Sequence, residues 1–477
     1  MVITERKEKL NSNLKSIPMK PTQEKISFYR IYSPQKIFFS YSSFINLIIL
    51  VLSIITISCR EKQPVPRADA DILHQNQDQL TQIIIYDVFS PPVASRLYVY
   101  SSIASYEAIR HSKEGAISIA EKLNGFGPMP EPEEGKEYDY TLAASKAFFN
   151  VVRNVRVFSV DSLKNFEESL YNYFRNNMDD SVYQRSADFG DSIAKVVLVR
   201  AASDGYFQSR GRPKYLGGND PGKWRPTPPD YLDGVEPFWN TMKPMVMDSA
   251  SQFMPPRPPE FSLDTSSFFY KSVREVYDIN MNITEEQMQI ARYWDDNPIV
   301  MEHSGHMMFA NKKITPGGHW MGISAIASRQ SGADAVTTAK AYALTALALY
   351  EGFISCWDEK IRSSYVRPVT VINETFDNSW MPFLQTPPFP EYTSGHSTIT
   401  ACSAVILTSI FGDNFSFQDT SDLRYIGMQR HFNSFKEAAA EASISRVYGG
   451  IHYMFSVDMG AEMGIKLGEF IIKKLED

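Results

Sequence analysis

The chain has 477 residues, 43% apolar and 22% charged, enough to bury a large core in one or two globular domains. Its net charge of -7 excludes the basic face that a nucleic-acid partner requires, and three cysteines exclude a disulfide-stapled scaffold. The charge does not bear on a small anion, which feels only the groups around its own pocket.

Phe44 to Ile57 (FINLIILVLSIITI) is an apolar run, too short to cross a bilayer comfortably and suited to the h-region of a signal peptide. Ser58 and Cys59 follow at once, and a small residue before cysteine resembles the lipobox of bacterial lipoproteins, although Thr56 stands where leucine is usual. Residues 1–59 are expected to be a leader and 60–68 (REKQPVPRA) a tether. The alternative is an uncleaved membrane anchor. Either reading exports the remainder to the cell envelope or the medium, with membrane contact only through the leader or a lipid on Cys59.

From Asp69 onward the apolar spacing is helical. Leu73, Leu80, Ile83, Ile84 and Val88 recur on one face until Pro91-Pro92. Further helices are predicted over Val93–His111, Tyr138–Val157, Ser162–Asn177 and Val182–Ser203. Between Gly205 and Phe261 the texture changes: 11 of the 28 prolines fall there, as expected of a long covering loop. Helices resume at Leu263–Asp278, and Thr284-x-x-Gln287 forms a capping box for the next. The pattern continues from Ala333 to about Ser363, then near Ser397–Phe411, Thr420–Ser443 and His452–Lys474. The predicted fold is all-α: a helical bundle over 69–204, a Pro-rich connection over 205–261, and a second bundle over 262–477.

Three short motifs in the second bundle carry chemistry: Lys360-x6-Arg367-Pro368, Thr393-Ser394-Gly395-His396 and Ser445-Arg446-x5-His452. Residues seven apart drift by only about 20° on a helix, so Lys360 and Arg367 are predicted to share a face that ends at Pro368. Ser394-Gly395-His396 precedes an apolar helical run, so it should open a helix, where free amides and the dipole favour an anion. Arg446 adds a guanidinium fork. His452 is predicted to start the last helix after Gly449-Gly450. Each piece alone has a bland reading as a solvated face, a plain cap or a core histidine. Together they describe a pocket for a tetrahedral oxyanion, with two histidines for ligation, nucleophilic attack or acid–base work.

This ordered triplet resembles the signature of the vanadium-dependent haloperoxidases and the type 2 phosphatidic acid phosphatases, which include bacterial acid phosphatases. The flanks PPFPEYTSGHS (Pro387–Ser397), GKWRPTPPDY (Gly222–Tyr231) and PGGHW (Pro316–Trp320) resemble bacterial members of the haloperoxidase branch. The resemblance implies that Lys360, Arg367, Ser394, Gly395 and Arg446 bind the oxygens of vanadate or phosphate. It makes His452 the vanadium ligand or the phosphate-attacking nucleophile, and His396 the acid–base residue. Trp357 and Phe389 match halide-pocket positions. Thr393 replaces the usual proline. Ser456 stands where many members have an aspartate that orients the last histidine; Ser456 itself, or Asp458, is expected to take that part.

The implied activity is oxidation of iodide or bromide by hydrogen peroxide to hypohalous acid, with vanadate as cofactor. The alternative is a soluble acid phosphatase that cleaves phosphate esters through a phosphohistidine on the same residues. A metal site at His303-x-x-His306 with His319, near Asp295-Asp296, is a third reading; core or covering-loop histidines account for these residues more simply. A partner-binding lipoprotein is a fourth, opposed by the cost of burying three cations without an anion. Cys356 and Cys402 fit no pattern, and the oligomeric state is not written in the residues.

Overall fold

The computed structural model describes residues 69–155, 157–298, 301–304, 307–310 and 313–476, with backbone only over 301–304 and 307–310. The expected leader, Cys59 and the tether lie outside the described residues, as do His306 and the side chain of His303. No helix among the described residues is long and apolar enough to cross a membrane.

The all-α expectation holds. In chain order the helices are α1 (Asp69–Tyr86), α2 (Pro91–Ile109), α3 (Tyr140–Asn154), α4 (Val160–Arg175), α5 (Asp180–Ala202), the single turn α6 (Tyr206–Ser209), α7 (Phe268–Met281) and α8 (Glu285–Tyr293). After the hairpin β1 (Met301–Ser304) and β2 (Met307–Ala310) come α9 (Pro316–Ser331), α10 (Ala335–Ser363), α11 (Pro368–Thr375) and α12 (Gly395–Phe411). The chain closes with β3 (Phe417–Asp419), the short α13 (Leu423–Ile426), β4 (Arg430–Phe432), α14 (Phe435–Tyr448) and α15 (Met454–Glu476). Both two-stranded ladders are antiparallel.

Helix α10 is the axis of the molecule. Its 29 residues are capped by Asp334, which accepts from the Thr337 amide. Apolar residues surround its whole circumference, as a central helix requires. It packs on α2 from the first half and on α12 from the second, so one apolar core runs from Ile72 to Ile471.

Helices α12 and α15 also lie against each other, and small residues allow it. Gly460, Gly464 and Gly468 fall on one stripe of α15. A Cβ at Gly464 would stand 2.2 Å from the Thr398 carbonyl of α12. Glycine therefore sets how closely the helix after His452 approaches the helix that His396 opens.

Three elements depart from the sequence reading. The sequence reading predicts no helix over Pro316–Ser331, yet α9 starts there with Thr315 as cap and Pro316 as first residue. The predicted helix over Thr420–Ser443 breaks into α13, β4 and α14, because Gly427 takes a left-handed conformation (φ 72°) and Ser434 caps a new helix. The last helix begins at Met454, leaving His452 in the turn before it.

The Pro-rich connection does cover the second bundle. Trp224 N donates to Ser364 O at 2.7 Å, and Val366 N donates to Gly222 O at 3.0 Å, so this connection braces the link between Lys360 and Arg367. Gly217 (φ +72°) lies so close to this brace that a Cβ would stand 1.8 Å from Trp224 O. A separate aromatic cluster contains Val366, Tyr392 and Tyr453. These are sequence neighbours of Arg367, Glu391 and His452, so one patch of packing fixes three turns of backbone together.

Candidate active site

The three motifs meet. His396, Gly395, Arg446 and His452 line one cavity of about 30 Å³, with Trp357 and Phe389 on its apolar side. That volume holds a water or two, the scale of a small anion. Lys360, Arg367 and Ser394 stand behind this wall and are wholly buried.

Lys360 occupies the last turn of α10. Arg367 does not share its helix, as the seven-residue spacing suggested. The helix ends at Ser363 with Ser364 left-handed, and Arg367 is the extended residue before Pro368, which opens α11. Proline here starts a helix rather than merely stopping one. The two cations still converge, because the Lys360 ammonium donates to the carbonyls of Pro390 (2.8 Å) and Glu391 (2.9 Å), while Arg367 Nε donates to Phe389 O (3.0 Å). Arg446 lies in the last turn of α14, where a cation faces the helix dipole favourably, and donates to Trp294 O at 2.7 Å.

Ser394 caps α12 as predicted. Its hydroxyl oxygen accepts from Ser397 N (3.3 Å) and Ser397 Oγ (2.9 Å), which leaves its own proton to donate. Ser394 N is bonded to Ser456 O at 3.2 Å, so the open amides of the first turn are those of Gly395 and His396.

His452 is held from both sides. Arg367 Nη1 lies 3.1 Å from its Nε2, and Nδ1 lies 2.7 Å from Glu391 Oε1. An arginine N–H only donates, so Nε2 is the acceptor and Nδ1–H donates to the carboxylate. The tautomer is thereby fixed, with the Nε2 lone pair accepting from Arg367 and open to a ligand once that guanidinium turns to the ligand's oxygens. Burial and the neighbouring Arg367 and Lys360 push this imidazole well below its ordinary pKa, so it is neutral.

Here the sequence reading needs correcting. Ser456 does not take the imidazole proton, although it is buried nearby and its carbonyl serves Ser394; Asp458 is exposed and outside the site. Glu391 performs the part assigned to them. The only signal for it was a lone carboxylate in the apolar segment PPFPEY. Burial, countered by Arg367 and Lys360, raises its pKa to about 7.

His396 Nε2 has no hydrogen-bond partner among the described residues and sits 4.0 Å from Asp296 Oδ2, while the Trp294 carbonyl also bonds its ring. Burial, then Arg446, His319 and Lys360, holds it neutral. Burial lowers Lys360 to about 8 and Arg367 to about 10. Trp357 and Phe389 pack with ring centroids 5.0 Å apart, and the Lys360 ammonium is 5.0 Å from the Phe389 ring. The Trp357 indole N–H donates to Val235 O at 3.2 Å, so the Pro-rich connection holds this wall too.

Among the described residues, the buried Arg367 Nη2, Arg446 Nε and His396 Nε2 lack partners. Each unmet arginine donor costs about 1–3 kcal/mol, a penalty that an anion with several acceptor oxygens removes, while the neutral His396 Nε2 keeps a lone pair that can accept a proton. The residues present therefore fit a tetrahedral oxyanion. Of the suggested histidine metal site, His306 and the His303 side chain lie outside the described residues, and His319 is enclosed by Asp296, Asp419 and Asp422.

Comparison with known proteins agrees with this geometry. The family described as the VCPO second helical-bundle domain matches residues 340–477. A crystal structure described as the first bacterial vanadium-dependent iodoperoxidase is 44% identical, covering 87% of this chain and 98% of its own, with a TM-score of 0.81. Holo and apo structures of a bacterial vanadium-dependent chloroperoxidase share the fold, with TM-scores of 0.63 at 19% and 20% identity. They cover 82% and 81% of this chain and 93% and 94% of their own. No curated protein matches. With the cations, histidines and aromatic wall assembled on a fold shared over nearly the whole of that iodoperoxidase, the chain belongs to the vanadium-dependent haloperoxidase family.

Proposed function

We propose that this protein is a vanadate-dependent haloperoxidase that oxidises iodide, with bromide as the alternative halide, by hydrogen peroxide. The balanced reaction is halide plus hydrogen peroxide plus a proton, giving hypohalous acid and water. The observation that carries the reading is the pair of buried arginine donors on Arg367 and Arg446 without partners among the described residues, beside a cavity that His396 and His452 line.

In this reading Lys360, Arg367, Arg446, the Ser394 hydroxyl and the Gly395 amide would hold the oxyanion's oxygens, and His452 Nε2 would be its protein ligand. Vanadate, when bound, supplies the electrophilic centre that activates peroxide. His396 Nε2, neutral and unpaired, accepts a proton from entering peroxide and returns it as product departs. The Trp357 and Phe389 rings exclude water on the halide side. Iodide suits an apolar wall because it sheds hydration at less cost than a smaller halide.

Phosphate has the same shape, so a phosphatase reaction with His452 as nucleophile is the competing outcome. The test compares peroxide-dependent iodide and bromide oxidation by the vanadate-loaded protein with ester hydrolysis by the vanadate-free protein. Halide oxidation above ester hydrolysis supports the proposal, and the reverse defeats it. Export through Phe44–Ile57 with lipid at Cys59 completes the proposal. Cys59→Ser should then release the protein from the membrane fraction of a bacterial host.

A further inference from the structure

Behind His396 and Arg446 lies a group of charges that oxyanion binding leaves unexplained. His319, in the first turns of α9, is wholly buried. Its Nδ1 is 3.2 Å from both Asp296 oxygens and 3.4 Å from Asp422 Oδ2, and its Nε2 is 2.9 Å from Asp419 Oδ2. Carboxylate oxygens on both sides require a proton on each ring nitrogen, so the ring is an imidazolium. Burial alone would lower its pKa, yet Asp296 and Asp419 hold it well above the ordinary value, with a smaller part from Asp422, whose own carboxyl is pushed up by burial.

This cation lies flat on the Trp294 indole, with centroids 4.5 Å apart and planes at 16°. The indole N–H is fixed in turn by Glu441 Oε1 at 3.0 Å. Trp294 and Asp296 are the residues that meet the site. The Trp294 carbonyl accepts from Arg446 and from the His396 ring, and the Asp296 carboxylate faces His396 Nε2. One buried ring therefore grips residues 294–296 by stacking and by ion pairing.

We propose that His319 is a positioning residue for the oxyanion site, acting through Trp294 and Asp296 on Arg446 and His396. The inference rests on the oxyanion reading above. It also gives PGGHW a purpose: Thr315 and Pro316 start the helix that delivers His319. The same cluster offers Asp296, His319 and Asp422 atoms within 4.8 Å of one another, a spacing open to a metal ion. Both ring nitrogens are already committed to carboxylates, which leaves no lone pair for a metal.

The test uses vanadate-free protein with 15N-labelled histidine, wild type beside His319→Gln and Asp419→Asn. Orthovanadate affinity is measured by equilibrium dialysis. In the wild type both His319 nitrogens should show protonated shifts from mildly acidic to mildly alkaline pH. In the variants, vanadate affinity should fall on the order of 10–100-fold, the range for residues that orient ligands. The His396 resonances should move while those of His111 and His431, outside the site, stay. A neutral His319 in the wild type overturns the proposal even if neither variant folds. So does stoichiometric zinc at the cluster, or unchanged affinity and His396 shifts in folded variants. A wild type that binds no vanadate defeats the oxyanion reading itself, a separate outcome from normal binding that survives loss of His319.

Discussion

His452 Nδ1 and Glu391 Oε1 are 2.7 Å apart, both buried, across 61 residues of sequence. The same carboxyl oxygen accepts the Tyr453 amide at 3.1 Å, so it secures the ring and the backbone that carries it. A charged acceptor on Nδ1 strengthens Nε2 as a donor to an electrophile.

Glu391→Gln keeps an oxygen near Nδ1 but removes the charge. Vanadate affinity should fall on the order of 10–100-fold, with Glu391→Asp intermediate. Titration of the vanadate-free protein with orthovanadate measures this. Equal affinity in Glu391→Gln would show that the carboxylate does not tune the ligand.

Arg446→Ala should lose about 1.5–3 kcal/mol of oxyanion binding, the scale of a hydrogen bond to a charged group. Calorimetric titration with vanadate reads this as roughly a tenfold or greater rise in Kd. His452→Ala should abolish halide oxidation. A variant retaining most of the rate would remove His452 as the ligand.

Anion affinity should also depend on pH through Lys360. Burial lowers its pKa to about 8, so below that value the ammonium is charged and attracts the anion; as pH rises through it, the attraction is lost. Sulfate, whose charge is constant over this range, is the cleaner probe. Its affinity should fall on the alkaline side of pH about 8 in the wild type and vary far less in Lys360→Met.

Gly464→Val tests the close contact of α12 with α15. The first added carbon would stand 2.2 Å from Thr398 O, so the helices must separate. Overpacking of this kind costs about 1–3 kcal/mol, read as a lower Tm. An unchanged Tm would mean the stripe is not a tight contact.

The site was legible because its members are charged or histidine residues in short motifs at chain breaks. Ser394 announces a helix start by its own chemistry, and Pro368 marks Arg367 as extended. Glu391 was hidden because nothing in PPFPEY says which cation or ring lies opposite. The charged partners of His319 were hidden for the same reason, although a core histidine was the simpler reading and it is buried. His303 and His306 were its near neighbours in sequence, whereas its observed partners include Asp419, 100 residues away. Helix α9 was not predicted, although Thr315-Pro316 is a helix-start signal. Local pattern reveals what a residue is suited to do, and packing decides what it meets.

The most direct test of the central claim is a crystal structure of the protein soaked in orthovanadate, with vanadium located by anomalous scattering. The expected result is one vanadium at bonding distance from His452 Nε2, its oxygens contacting Lys360, Arg367, Ser394, Gly395 and Arg446. Vanadium elsewhere, or none in a site free of competing anions, would contradict it.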